Sequence, residues 1–264
     1  MLTQLVNAFL LSTAVAMLAF WRGSLAGSGL LGALVVGTII FGLGGWQWGL
    51  LLGLFFVTSS LLSHFKEEEK RTAAEKFDKG HQRDSGQVFA NGGLGALLAL
   101  LTVLVPSPLW AFAFIGVMAT VTADTWATEL GTLSKQPPRL ITNGRLAEVG
   151  TSGAISFLGT TVSLLGGLLI GLAAGLMGLG TTLIGTAVAG AISGLAGSLF
   201  DSLLGATVQQ IYTCPTCHKE TERKIHKCGT TTRPLRGWSW LNNDLVNLIA
   251  SVVGGGTAVF LLTL

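Results

Sequence analysis

Four acidic residues stand in or against apolar runs of the chain: Asp124 and Glu129 late in one, Asp201 late in a second, Asp244 early in a third. An ionisable group there is costly and normally faces a partner or a wet cavity. Asn242 and Asn243 set neutral oxygens beside Asp244. Hard oxygen donors from several helices are what Mg2+ takes, with waters and substrate phosphates completing its shell. Asp124, Asp201 and Asp244 are therefore candidate magnesium ligands, and with Glu129 they form the candidate catalytic set. Pairing with a loop arginine or lysine, which would only lock a bundle, explains any single acid as well. Asp124 and Glu129 are five residues apart and do not stack on one helical face. A bend after Trp126 would bring them together, and Gly131 marks the helix end.

Phosphate-binding features lie nearby. Asn91-Gly92-Gly93 and Gly150-Thr151-Ser152-Gly153 are read as openings of two apolar runs. Unpaired N–H groups and the positive dipole end at a helix start favour anions, and glycine lets backbone approach them closely. Singly, each string reads equally well as an N-cap with packing glycines. Ser202 adds a hydroxyl beside Asp201. Lys135 and Arg139 flank the stiff Pro137-Pro138 pair and, with Arg145, offer countercharge. Acids, anion-binding turns and cations are the apparatus of phosphoryl transfer. No Walker-type or kinase-type glycine motif is present.

The elements that must position these residues are membrane spans. Of 264 residues, 50% are hydrophobic and 11% charged, against about 25% charged in a soluble domain. Thirty-seven glycines suit close helix approach in lipid. Eight apolar runs are long enough to cross a bilayer: approximately Leu2–Phe20, Leu25–Phe41, Trp46–Leu62, Val88–Val105, Leu109–Leu130, Ser152–Ala174, Leu179–Leu204 and Trp240–Leu261. The expected fold is all-α, a polytopic transmembrane bundle of about eight spans forming a single membrane domain over residues 1–264. All sixteen basic residues fall in alternate connections, which the positive-inside rule makes cytoplasmic. Both termini then lie on the non-cytoplasmic side, and the cytoplasmic loops are 63–87, 131–151 and 205–238. This topology brings the four acids to one depth, at the cytoplasmic ends of three helices. A metal–phosphate site then explains them better than four separate locks.

Six acids fall in the loop from Ser63 to Gln87, read as a solvated or surface-lying helix acting as a charged connector. Asp124-Thr125 and Asp201-Ser202 close similar runs, so duplicated hairpins and chance resemblance both stand open. No cleavable signal peptide is apparent. Basic residues confined to short loops exclude a nucleic-acid partner.

Three cysteines in one short segment argue against a disulfide framework. Cys214-Pro-Thr-Cys217 followed by His226-Lys-Cys228 has ligand types and spacing compatible with structural zinc in a small hairpin. Three ordinary reduced thiols and a surface histidine are the other reading.

Six strings occur in order: Gln87-Val-Phe-Ala-Asn91-Gly-Gly, Ala123-Asp124-Thr-Trp-Ala-Thr-Glu129-Leu-Gly131, Pro138-Arg139-Leu-Ile-Thr142, Gly150-Thr-Ser-Gly153, Gly197-Ser-Leu-Phe-Asp201-Ser-Leu-Leu-Gly205-Ala and Asn242-Asn-Asp244-Leu-Val-Asn247. Together they resemble the polyprenyl-monophosphate kinase family, integral membrane proteins that include plant phytyl-phosphate kinase and archaeal farnesyl-phosphate kinase. The resemblance runs from about residue 80 to the C-terminus and includes Thr221-Glu222, His226 and Cys228-Gly229. It implies phosphoryl transfer from a nucleoside triphosphate, with CTP expected, to phytyl, geranylgeranyl or farnesyl phosphate. It further implies Mg2+ at Asp124, Asp201 and Asp244, and Glu129 completing that shell or orienting a lysine. Asn91, Thr151 and Ser152 would hold phosphates, with Arg139 and Lys135 as countercharges. In a photosynthetic host the implied role is phytol salvage toward tocopherol, in a plasma, thylakoid or plastid membrane. Two other functions share some of these features: a secondary transporter of an anion, which would set its acids near the midplane, and a CTP-dependent lipid cytidylyltransferase.

Overall fold

The computed structural model describes residues 2–74, 76–77 and 82–264. Among them, eight helices are long and apolar enough to cross a membrane. These are α1 (Leu2–Trp21), α2 (Gly27–Gly44), α3 (Trp46–His64), α5 (Ser85–Leu104), α6 (Leu109–Gly131), α7 (Phe157–Leu176), α8 (Leu183–Thr207) and α9 (Asn243–Thr263); a short α4 (Glu67–Ala74) follows α3. Lys79 of the Ser63–Gln87 loop lies outside the described residues.

Helix α6 is central: it packs on α3, α5, α7, α8 and α9, while α1 is peripheral and leans on α2. Its middle, Phe114 to Ala123, is buried throughout, with Phe114 stacked on Trp48 at 4.0 Å between ring centroids. Apolar residues that remain exposed, such as Leu10 on α1, Leu31 on α2 and Val252 on α9, form the lipid-facing coat. Glycine sets close crossings. A Cβ on Gly190 of α8 would lie 2.6 Å from the Cα of Gly171 on α7, so the two backbones touch with no side chain between them. The two hairpins whose duplication stood open pack differently here, since α5 packs far more on α2 than on α6.

Two of the span starts that differ from the sequence expectation move candidate phosphate-binding strings. Helix α5 begins at Ser85 rather than Val88, because Asp84 caps it and Gln87 reaches back in a capping box. Asn91-Gly92-Gly93 therefore lies inside the helix and not at its start. Helix α7 begins at Phe157 rather than Ser152. Gly150 and Gly153 both have φ of +80°, and the chain between them forms turns leading into a strand. That strand, β2 (Ala154–Ile155), pairs antiparallel with β1 (Arg139–Leu140).

The loops at one end of the bundle interlock. Ala26 N–H donates to Arg83 O at 3.0 Å, and Glu222 N–H to Lys76 O at 2.9 Å. A small sheet of β3 (Ile211–Thr213), β4 (Glu220–Thr221) and β5 (Arg233–Arg236), in the order β4-β3-β5, sits between α8 and α9 in the chain. Gly237 (φ +86°) lets the chain cross within 1.9 Å, measured from a built Cβ, of the Gln209 carbonyl.

Candidate active site

The interlocked loops and the adjoining helix ends enclose a cavity of about 1120 Å3. Its acidic wall comes from three helices. Asp124 lies on α6, Asp201 on α8 and Asp244 in the first turn of α9, and all three line the cavity. Ser198, Asp201 and Ser202 follow each other at helical spacing and line the same wall. Ser198 donates to Asp124 Oδ1 at 3.3 Å, tying α8 to α6. Asp201 Oδ2 is buried and has no hydrogen-bond partner among the described residues, although both Asp124 and Glu222 are near enough to act on it electrostatically. An orphaned buried carboxylate oxygen among other oxygen donors fits a hard cation such as Mg2+.

Glu129 also faces the cavity, yet α6 runs unbroken from Leu109 to Gly131. The bend expected after Trp126 is absent, and the cavity is wide enough to meet both carboxylates. Glu129 is already engaged. Lys70 Nζ donates to Oε2 at 2.5 Å and Ser63 Oγ to Oε1 at 2.7 Å. Lys70 also donates to the Leu62 and Ser63 carbonyls at 2.7 and 3.0 Å, closing the end of α3. Of the two roles expected for Glu129, this geometry matches the one that orients a lysine.

Asn91, Thr151, Ser152, Ser202, Asn242 and Asn243 all line the cavity. Asn242 additionally caps α9, accepting from Leu245 N–H at 3.1 Å, and Ser152 donates to Gln209 at 3.0 Å. Four candidates are not brought to the wall. A Cβ on Gly92 would meet Val36 at 2.7 Å and one on Gly93 would face Phe89, which makes Gly92 a helix-packing residue against α2. Lys135 is exposed. Arg139 is exposed as well, and its guanidinium donates to the Gly144 carbonyl at 2.8 Å within its own loop.

The cations that do face the cavity come from elsewhere: Lys70, Arg83, Arg223, Lys224 and Lys227. Reading the Ser63–Gln87 loop as a solvated connector misses this. Its helix α4 forms, but Lys70, Lys76 and Arg83 are each buried to within 8% exposure because the loop folds over the helix ends. Lys76 bonds Glu148 at 2.8 Å and Thr151 at 3.2 Å, and this hydrogen bond holds the Glu148 carboxyl below its usual range. Arg83 donates to Ser60 Oγ at 2.9 Å and lies 5.4 Å from the Phe56 ring centre. Burial lowers its guanidinium from the ordinary value, and the charge of Glu129 opposes that shift. Arg83, Gln87 and Asn91 recur every four residues along one face and all reach the cavity. Glu222, a further acid on the wall, accepts from Gln209 Nε2 at 2.8 Å.

Beside this wall, one ligand atom from each of Cys214, Cys217, His226 and Cys228 lies within 4.8 Å of the others. Hydrogen bonding within this group, led by Cys228, pushes the Cys217 thiol up to about 11, while bonds to Thr230 and then His226 bring Cys228 down to about 6.

The model of the integral membrane protein family DUF92 matches residues 10–255. The chain belongs to that family. Protein PGR of Arabidopsis thaliana is 32% identical over 94% of this chain and 92% of its own length. The uncharacterized membrane protein MJ0933 of Methanocaldococcus jannaschii is 36% identical over 86% of this chain and 81% of its own. Protein VTE6, chloroplastic, of Arabidopsis thaliana is 24% identical over 90% of this chain and 65% of its own. No solved structure matches the chain. With eight spanning helices and this membership, the chain is an integral membrane protein.

Within the DUF92 bundle the Lys70–Glu129 pair is mostly buried, with side-chain exposures of 8% and 21%. Lys70→Met is expected to destabilise the protein by about 3 kcal/mol, since it strands a buried carboxylate. Lys70→Met/Glu129→Leu should recover most of that loss. Thermal unfolding in detergent measures both; equal midpoints for Lys70→Met and wild type would show that the pair holds nothing together.

Proposed function

We propose that this DUF92 protein is a membrane phosphotransferase that moves a phosphoryl group from a nucleoside triphosphate, CTP in the first instance, to a prenyl monophosphate, giving the prenyl diphosphate. The observation that carries this reading is the convergence of Asp124, Asp201 and Asp244, from three helices, on one cavity that is also lined by Lys70, Arg83, Arg223, Lys224 and Lys227. Acids to hold a divalent ion, opposed by cations to hold phosphates, are the two halves of phosphoryl-transfer chemistry. The six ordered motifs that resemble polyprenyl-monophosphate kinases support it, as does the relative VTE6.

Asp124, Asp201 and Asp244 would hold Mg2+, directly or through water. When bound, the ion neutralises charge on the transferred group and its leaving oxygen. Arg83, Arg223, Lys224 and Lys227 bind and orient the two anions, which otherwise repel each other. Thr151, Ser202 and Asn91 donate hydrogen bonds to phosphate oxygens, while the Ser152 hydroxyl, held by Gln209, shapes the wall beside them. The acceptor is already an anion, so no strong base is needed to deprotonate it. Lys70 is held by Glu129 and two carbonyls, so it sets the shape of the wall and does not act as a mobile proton carrier. Trp240, on the cavity rim, stacks on Trp238 at 5.5 Å, and both are more than half exposed. Tryptophans of this kind favour the headgroup level, where an acceptor with a phosphate head and a prenyl tail would lie. By the positive-inside rule this end would face the cytoplasm, where nucleotide is available.

The test is to incubate purified protein with Mg2+, γ-labelled CTP and phytyl, geranylgeranyl or farnesyl monophosphate. Labelled prenyl diphosphate and CDP are expected. Release of pyrophosphate would instead identify a cytidylyltransferase, and no nucleotide consumption with any of the three prenyl phosphates would remove the kinase reading.

A further inference from the structure

We propose that Cys214, Cys217, His226 and Cys228 bind one Zn2+ as a structural site, and that this ion sets the position of the basic loop forming one wall of the cavity. The four ligand atoms come from two tight turns. In the first, Cys217 N–H points at Cys214 Sγ at 3.4 Å, and the His218 amide donates to the Cys214 carbonyl at 2.9 Å. In the second, the Cys228 amide approaches His226 Nδ1 at 3.4 Å, and the Gly229 amide closes on the His226 carbonyl at 2.8 Å. Gly229 has φ of +83°, which a turn of this kind needs.

The spacing suits zinc. A tetrahedron with Zn–S bonds of about 2.3 Å has an S···S edge of about 3.8 Å. Cys214 Sγ and Cys228 Sγ are 3.6 Å apart, and His226 Nδ1 is 3.1 Å from Cys228 Sγ. A disulfide would need sulfurs about 2.05 Å apart, and all three cysteines are free thiols. Three sulfurs and one imidazole form a closed structural set with no open position for a substrate. Cys214 and His226 are buried while Cys217 and Cys228 reach the surface, so the site has a route for metal entry.

The local fold explains why a metal is required. Strands β3, β4 and β5 contain two to four residues each, too little to bury an independent core, and segments this small usually need a metal or a disulfide. Arg223 and Lys224 lie between the two ligand pairs, and Lys227 lies between His226 and Cys228. Joining the pairs through one ion clamps this stretch at both ends. Between those ends the stretch is held by Thr232, whose Oγ1 donates to the Arg223 and Lys224 carbonyls at 2.7 and 2.9 Å and whose N–H donates to Lys224 O at 3.0 Å, by His226 N–H to Thr230 O at 2.9 Å, and by Arg223 Nε to Phe77 O at 2.7 Å.

Zinc content and activity separate this proposal from the kinase reading on which its second half rests. Protein expressed with added zinc and washed with a weak chelator is expected to hold about one zinc per chain by elemental analysis. Cys217→Ser and Cys228→Ser should each hold less than about a tenth of that while remaining monodisperse in detergent. Cobalt-grown wild type, which avoids any folding defect of the variants, should show the visible d–d bands of a tetrahedral sulfur-rich site. Stripping zinc should lower turnover by about 10- to 100-fold, with recovery on adding zinc but not magnesium. Wild type without zinc, with iron instead, or with a Cys214–Cys228 disulfide would overturn the site. Zinc at full occupancy with unchanged turnover after stripping would overturn the positioning role alone.

Discussion

Asp201→Asn is expected to lower phosphoryl transfer by about 10³-fold, the scale seen when one preorganised charge-stabilising group is removed, while the unfolding midpoint stays level or rises. Both halves follow from the environment of Asp201. Its Oδ2 is buried with no hydrogen-bond partner among the described residues, and Asp124 and Glu222 add negative potential around it. Such a group opposes folding in the absence of a cation, so replacing it with an isosteric amide removes repulsion and leaves the packing alone. An acid that only locked the bundle would behave the opposite way, losing stability and keeping turnover. Asp124→Asn should also lose activity, with a smaller gain in stability, because it gives up the charge that accepts from Ser198 at 3.3 Å. Rate measurements beside thermal unfolding decide the matter. Normal turnover by both variants would leave the proposed metal site without ligands.

Arg83→Met is expected to lower kcat/KM by about 10²- to 10³-fold, again with little loss of stability. The Met stem keeps the apolar contact with Phe55 and Phe56. The fold-bearing links are backbone ones, to Ser24 and Ala26, and they survive the substitution. What disappears is a buried guanidinium that donates to Ser60 Oγ at 2.9 Å and lines the same cavity as the carboxylates. Arg83→Lys should restore charge but only part of the rate, since an ammonium lacks the planar fork that grips a phosphate. Kinetics with nucleotide and acceptor varied separately will show which anion Arg83 holds. A wild-type rate in Arg83→Met would reduce the residue to a packing element.

The contrast between Arg83 and Arg139 shows where reading the chain stops. Both sit in short basic loops, and nothing local separates them. Arg139 turns back on the Gly144 carbonyl, while Arg83 is drawn under α2 and α3 by a backbone pairing with Leu25, distant in sequence. Gly92 shows the same limit in another form. Glycine beside asparagine reads as a phosphate turn or as helix packing, and only the Val36 side chain 2.7 Å from a built Cβ decides for packing. Glu222 gave no chemical sign beyond the resemblance of Thr221-Glu222, because an acid in a polar loop costs nothing until that loop folds over a cavity.

Eight spans, the alternate placement of the basic residues, and the anomalous acids Asp124, Glu129, Asp201 and Asp244 were determined by the sequence itself. The reason is that water-to-lipid transfer makes apolar length and intramembrane charge costly or favourable residue by residue, whatever the neighbours are. Which helices meet, which cations oppose the acids, and that α6 stays straight past Trp126 were decided by the tertiary structure alone. Those outcomes depend on steric fit between distant surfaces, such as Gly171 against Gly190, and on where the Ser63–Gln87 loop comes to rest. Pairwise fit of that kind leaves no periodic trace in one chain.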